Sequence, residues 1–296
     1  MPRLRPPQPA PALLMGALTR RRFLAACGAL AAGGGGLAAY AHWVEPRWFR
    51  IHYLDMPVRG LPAALGGARL VQMSDLHVSH EVGAEHLLAC LEAARRLAPD
   101  IVVYTGDLTN ATGTPPDLLR RVLGSLALGR LATFSVPGNH DYGHMWNYPD
   151  QADRLAAALA DAGAPMLRNA VGSVAGLQVL GLDDLWARRC RVVESIRKLD
   201  TNAPALVLLH NPDGADLPGW GSYAGWILSG HTHGGQCKPP FLPPPLLPVV
   251  NRRYTAGAFA LEGGRSLYIN RGLGHLMKVR FNVRPEITCF RLVGAA

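Results

Sequence analysis

An α/β fold with two sheets is what this sequence predicts, on three observations. Between residues 68 and 162 short apolar runs alternate with amphipathic stretches, the pattern of parallel βαβ units. From residue 166 onward the runs are short, closely spaced and strand-like, which calls for a second, mixed sheet. At 296 residues, 49% hydrophobic and 17% charged, the chain can build a single large domain of about 250 residues with an apolar segment added.

Ala68 to Ser74 reads as the first core strand, ending at Asp75-Leu76-His77. Residues 84–98 set Leu87, Leu88, Leu91, Ala94 and Leu97 at helical spacing, and Pro99-Asp100 stops that helix. Ile101 to Tyr104 is a second buried strand and ends at Gly106-Asp107. An amphipathic stretch covers 117–128; Ala132 to Val136 is the third strand, ending at Gly138-Asn139-His140-Asp141; 151–162 is helical. Turn-linked, antiparallel strands fill 166–182 and end at Gly181-Leu182-Asp183-Asp184. Ala205 to Leu209 is a strand stopping at His210, and Trp226 to Ser229 one that runs into Gly230-His231-Thr232-His233-Gly234-Gly235-Gln236. Lys238 to Val250 carries prolines at 239, 240, 243, 244, 245 and 248, a density that keeps it out of a sheet and makes it a fixed extended loop.

Five strands thus finish in metal-ligand residue types: Asp75 and His77, Asp107, Asn139, His210, then His231 and His233. In open α/β sheets ligands gather at the carboxyl ends of strands. Two histidines two residues apart on an extended backbone face one side, so one strand end can serve two positions around an ion or two ions. Taken singly, Asp107 reads equally as a helix cap, Asn139 as a turn residue and His210 as a core histidine. Together, seven nitrogen and oxygen donors exceed what one ion needs and suit two ions sharing a carboxylate. Imidazole, carboxylate and amide without thiolate fit Mn, Fe or Zn. Cys237, four residues beyond His233, reads as structural.

The order Asp-x-His, Gly-Asp, Gly-Asn-His-Asp, His, Gly-His-x-His resembles the calcineurin-like metallophosphoesterase superfamily over residues 68–293. More narrowly, Glu45-Pro-Arg-Trp-Phe49, Leu182-Asp-Asp-Leu-Trp186, His210-Asn-Pro-Asp213, Gly230 to Gln236 and Tyr268 to Gly274 resemble its bacterial twin-arginine-exported phosphodiesterases. The resemblance implies a four-layer α/β/β/α sandwich of two mixed sheets. It implies that Asp75, His77 and His233 hold one ion, that Asn139, His210 and His231 hold a second, and that Asp107 bridges them. It implies a phosphoester hydrolase, a phosphodiesterase by subgroup, in which a metal-bridging hydroxide attacks phosphorus in line with the leaving oxygen. His140, directly after a ligand, is then expected to protonate the leaving group or stabilise the transition state, with Asp141 orienting its imidazole. Arg271, Arg253 and Asp184 are candidate substrate contacts; Arg252 and Asp183 are weighed beside them, with ion pairing and turn capping as equal accounts. His80 and His144 read as surface residues.

The net charge of +9 is concentrated at the start: residues 1–50 hold seven arginines against Glu45, or +6, leaving +3 for the rest. That excludes a general nucleic-acid-binding surface. Arg20-Arg21-Arg22 stands before an apolar, glycine-rich run, Phe23 to Ala41, that ends in Ala39-Tyr40-Ala41. These features resemble a twin-arginine export signal, or an uncleaved anchor, read by the twin-arginine export machinery. The expected division is a signal or anchor at 1–45 and a metallophosphoesterase domain at 46–296, periplasmic or inner-membrane-anchored. Trp43, Trp48 and Phe49 suit a membrane interface or ordinary packing. The apolar loop 239–250 is read as a membrane-surface contact that lets the site reach a lipid-linked phosphoester. Cys90, Cys190, Cys237 and Cys289 show no paired spacing and read as buried free thiols, with disulfides the alternative for an exported chain.

Two alternatives are set against this. One is a UDP-2,3-diacylglucosamine pyrophosphate hydrolase, whose substrate faces the cytoplasm and so sits badly with an export signal. The other is a non-catalytic binding scaffold of the same fold, against which stands a complete ligand set.

Overall fold

Apolar strands that run without alternation need cover on both faces. The structure, a computed structural model describing residues 20–295, supplies it with two stacked sheets. The first has the order β1 (Arg50–Arg59), β11 (Glu286–Ala295), β2 (Arg69–Met73), β3 (Ile101–Thr105), β4 (Ala132–Val136). Strands β2, β3 and β4 are parallel, β11 is antiparallel to β2, and β1 lies parallel to β11. The second has the order β5 (Ala170–Val174), β6 (Leu177–Gly181), β7 (Ala205–Leu208), β8 (Trp226–Ser229), β10 (Ser266–Ile269), β9 (Gly257–Ala260). Its four central strands are parallel and both edge strands antiparallel.

Side chains divide by the period-2 rule. Leu70, Ile101, Val103, Phe134 and Val136 of the first sheet meet Val179, Leu206, Leu208 and Leu228 of the second in one buried cluster. Val71, Met73, Val102 and Tyr104 point the other way, onto helices α2 (Ala84–Arg96), α3 (Pro116–Leu123) and α4 (Pro149–Asp161) through Leu87, Leu91, Val122, Leu155 and Leu159. On the far side of the second sheet, Leu180, Val207, Leu209, Ile227 and Leu267 are covered by Val192 of the short helix α5 (Val192–Ile196), by Trp220 and by Tyr254. The expected four-layer sandwich is therefore present, with a thin fourth layer of one short helix and loops.

Two ten-residue strands, β1 and β11, have no counterpart in the sequence reading. Strand β1 holds the sheet edge, where Pro57 costs no ladder bond. The helix expected over 117–128 stops at Leu123, before Gly124.

Before this domain lies a helix, α1 (Arg20–Ala39), continued by a wider turn over Tyr40–Val44 and a tight one over Glu45–Arg47. Phe23–Arg47 is long and apolar enough to cross a membrane. The compact unit begins at Ala41. Glu45 belongs to that unit, because its Oε1 accepts from the Val283 amide at 2.6 Å. Residues 1–19 of the expected signal lie outside the described residues.

Candidate metal centre

The carboxyl ends of β2, β3, β4, β7 and β8 converge, and with them all seven strand-end donors. Asp75, His77, Asp107, Asn139, His210, His231 and His233 are each at most 4% exposed. They form two groups. Asp75, His77 and His233 bring one ligand atom each within 4.8 Å of one another, and so do Asp107, His210 and His231. In the first group the His77 and His233 Nε2 atoms are 3.1 Å apart, and His233 Nε2 is 3.3 Å from Asp75 Oδ1. In the second, His210 Nε2 is 3.1 Å from His231 Nδ1. Asp107 Oδ2 stands between the groups, 3.6 Å from His77 Nε2 and 3.1 Å from His210 Nε2. Its other oxygen accepts from the His140 amide at 2.8 Å, which fixes the carboxylate's direction.

Local backbone conformation aims these donors. Asp75, His77, Asp107, His231 and His233 all have left-handed φ, between 44° and 69°. Non-glycine residues adopt such angles at a cost of about 1–3 kcal/mol each, and they persist where the surroundings over-determine them, above all at functional sites. Two close approaches demand glycine. A Cβ on Gly138 would collide with Asp107 Oδ1, and one on Gly230 with Asp75 Oδ2.

The imidazoles are held from behind. His210 donates through Nδ1 to the Thr105 carbonyl at 2.8 Å, which leaves Nε2 free toward Asp107. His231 donates through Nε2 to the Pro248 carbonyl at 2.8 Å, which leaves Nδ1 free toward His210. A carbonyl partner settles which ring nitrogen carries the proton, and a free lone pair is what a metal takes. Buried Arg280 lies behind His233, its Nη2 3.3 Å from Nδ1, while making shorter bonds to the Gly274 and Arg271 carbonyls at 2.6 and 3.0 Å.

Electrostatics match a cation site. Burial would raise the Asp75 and Asp107 carboxyls, yet His233 beside Asp75 and His210 beside Asp107 hold both well below the usual carboxylate range. Burial would lower His210, but Asp107 pulls it up to about 10, so without ions a proton sits where positive charge is wanted. Burial and cationic His210 push His231 down to about 3, keeping it neutral and able to donate a lone pair. Both amide atoms of Asn139 are buried without a hydrogen-bond partner, a costly state that a bound cation relieves at the oxygen. Lone pairs converging near 3 Å on two carboxylates, with an orphaned amide beside them, fit a pair of divalent metal ions.

His140 is half-buried and packs edge-on to His77, ring centroids 4.9 Å apart. Its Nδ1 accepts from the Ala111 amide at 3.2 Å, so in the neutral ring Nε2 carries the proton. The expectation that Asp141 orients this imidazole needs correction. Asp141 Oδ1 accepts from the Thr109 amide and hydroxyl, and Oδ2 from the Gly138 amide, all at 2.9 Å. Burial and neighbouring Asp107 raise its carboxyl to about 6. Asp141 ties the β3 and β4 loops together and so holds the backbone that carries Asn139 and His140.

Of the candidate substrate contacts, Arg271 is engaged elsewhere: its Nη1 pairs with buried Glu286 at 2.8 Å and contacts His52 at 3.0 Å. The ion-pairing account fits it. Arg252 likewise bonds the carbonyls of Pro244, Pro245 and Leu247, pinning the proline-rich loop. Arg253 is exposed. Asp184 is buried, and its Oδ1 caps the turn at the Ala187 amide. Its Oδ2 has no hydrogen-bond partner, and burial raises its carboxyl to about 7. Beyond the expected residues, Trp186 stands edge-on to His231 with ring centroids 4.4 Å apart and packs at a tilt against Trp146 at 4.5 Å, walling the second group. Trp186 falls inside a recognisable motif, whereas Arg280 has no sequence signal: it stands in an aperiodic stretch.

The description of a calcineurin-like phosphoesterase matches residues 68–235, which span every donor above. The chain belongs to that family. This phosphoesterase is 31% identical to the metallophosphoesterase YkuE of Bacillus subtilis strain 168, over 93% of this chain and 98% of that one. It is 32% identical to the phosphodiesterase YaeI of Escherichia coli strain K12, over 93% of this chain and 100% of that one. It is 28% identical to the UDP-2,3-diacylglucosamine pyrophosphatase LpxG of Chlamydia trachomatis, over 85% of this chain and 92% of that one. The phosphoesterase is accordingly a hydrolase of phosphoric esters with two metal-holding groups in its site.

Proposed function

We propose that this phosphoesterase hydrolyses phosphodiesters with two divalent ions, one held by Asp75, His77 and His233, the other by Asn139, His210 and His231, with Asp107 shared. The observation that carries the reading is Asp107 Oδ2, within 3.6 Å of His77 on one side and 3.1 Å of His210 on the other. When bound, such ions supply Lewis acidity, acidifying water and neutralising charge on phosphoryl oxygens. The chain's own contribution is orientation: carbonyls of Thr105 and Pro248 fix two imidazoles, and Asp141 fixes the loop of Asn139 and His140. His140, with its proton on Nε2, is the group assigned to the leaving oxygen. Arg253, exposed, is available for a phosphate oxygen. The kinship with YaeI, named a phosphodiesterase, supports a diester preference. Turnover of bis(p-nitrophenyl) phosphate against p-nitrophenyl phosphate, with Mn, Fe and Zn each supplied, tests it. Preference for the monoester with every metal contradicts it.

The N-terminal segment supports a location. Arg20 to Arg22 stand just before Phe23–Arg47, a stretch long and apolar enough to span a bilayer, so we read residues 1–45 as a twin-arginine signal or anchor and 46–296 as an enzyme on the outer face of the bacterial inner membrane. The kinship with LpxG supports a lipid-linked substrate, and pyrophosphate hydrolysis on a nucleotide-linked lipid is the second reading. Fusing the first 45 residues to a folded reporter separates them: a cytoplasmic reporter favours the pyrophosphatase.

A further inference from the structure

Three separate segments of the domain are stitched into one surface. The Arg280 amide donates to the Ala41 carbonyl at 2.9 Å, and the Val283 amide to Glu45 at 2.6 Å, joining 41–48 to 280–284. The Lys238 amide donates to the Phe281 carbonyl at 2.9 Å, and Gln236 Nε2 to the Met277 and Val279 carbonyls at 3.0 and 3.1 Å, joining both to the loop that leaves His233. Each segment puts large apolar side chains into solvent: Trp43 and Trp48 on the first, Phe241 and Leu246 on the loop, Leu276 and Met277 on the third. Phe241 is 105% exposed and has no packing role.

We propose that this surface lies against a lipid bilayer, so that the metal centre works on phosphodiesters in the headgroup layer. The inference deepens the anchored-enzyme reading above and rests on it. Chain continuity names the occupant: the stretch able to cross a membrane, Phe23–Arg47, ends within the first of these segments. The bilayer therefore begins where the surface does. Tryptophan pairs such as Trp43 and Trp48 are favoured at that level. The proline-rich loop suits insertion for a physical reason. A backbone N–H taken into an apolar layer without a partner is strongly unfavourable. Six prolines remove that donor at half of the positions from 239 to 250. Arg252 binds three of the loop's carbonyls. Exposed Lys238 and Arg47 flank the surface and suit anionic headgroups. The same loop supplies the Pro248 carbonyl that holds His231, so surface and site share a boundary.

The test uses the full chain in phosphatidylethanolamine–phosphatidylglycerol vesicles, with p-benzoylphenylalanine in place of Phe241 or, as control, of Thr201. Thr201 is exposed and precedes β7, at the end of that strand away from His210. After irradiation, intact mass reads phospholipid adducts, and alkaline extraction of the same vesicles reads anchoring. An adduct yield at 241 tenfold or more above that at 201 is expected. Extraction-resistant protein with equal yields overturns the surface and leaves the anchor standing. Protein released by alkali with equal adduct yields overturns both, and release with the tenfold excess at 241 overturns the anchor alone. Hydrolysis of a soluble diester by the same samples reports the phosphodiesterase reading independently.

Discussion

His231 Nε2 and the Pro248 carbonyl lie 2.8 Å apart, binding a candidate ligand to a loop residue seventeen positions further along the chain. The loop's stiffness is thereby part of the site. Pro244→Gly/Pro245→Gly relaxes it without touching a donor, and loss of such outer support typically costs about 10–100-fold in metal affinity. Competition with a chromogenic chelator should show a loss in that range, confined to one of two ions. Unchanged affinity for both would separate the loop from the site.

His140→Ala should keep its metal and lose catalysis by about 10²–10⁴-fold, the usual worth of a positioned acid or base. The loss should be largest for alkyl diesters, whose leaving oxygen needs a proton, and smaller for p-nitrophenyl esters, whose leaving group does not. An equal loss for both would assign His140 to charge stabilisation.

Arg271→Ala should act on stability. It strips the partner from the Glu286 Oε2 atom, in a carboxylate that is wholly buried, and an unpaired buried acceptor costs about 1–3 kcal/mol. A lower urea midpoint with KM for a soluble diester unchanged is the expected result. A raised KM at unchanged stability would return Arg271 to substrate binding.

Metal-free protein should weaken as pH rises above 6.5. His210 is raised from 6.5 to about 10 in the folded state, so its contribution is full below 6.5 and lost as pH climbs through 10. Asp184, raised by burial to about 7, moves stability in the same direction from pH 3.8 to 7. Metal must displace the His210 proton and takes over its charge, so loaded protein should show a shallower decline over pH 6.5–10, with affinity rising over that window. Urea midpoints of chelated and loaded samples across that window check this; parallel slopes would mean that His210 carries no exchangeable proton.

The donors were legible because each closes an apolar run: Asp75, Asp107, Asn139, His210 and His231 are the points where a buried strand meets polar chemistry. Strand β1 was not, since its sequence at the sheet edge alternates poorly and its partner β11 lies more than two hundred residues away. Asp141 shows a second limit. Beside a ligand, a carboxylate can turn to a ring or to backbone amides, and the deciding amide, Thr109, is a neighbour only in space. Arg271 and Arg280 show a third: whether a guanidinium meets substrate, Glu286 or a set of carbonyls depends on loops without periodicity.

Metal content at full activity tests the central claim most directly. Purified protein titrated with Mn or Zn after chelation, and assayed for diester turnover, should reach full rate at two ions per chain, while Asp107→Asn binds less and stays inactive. Full activity with one ion or none would contradict it.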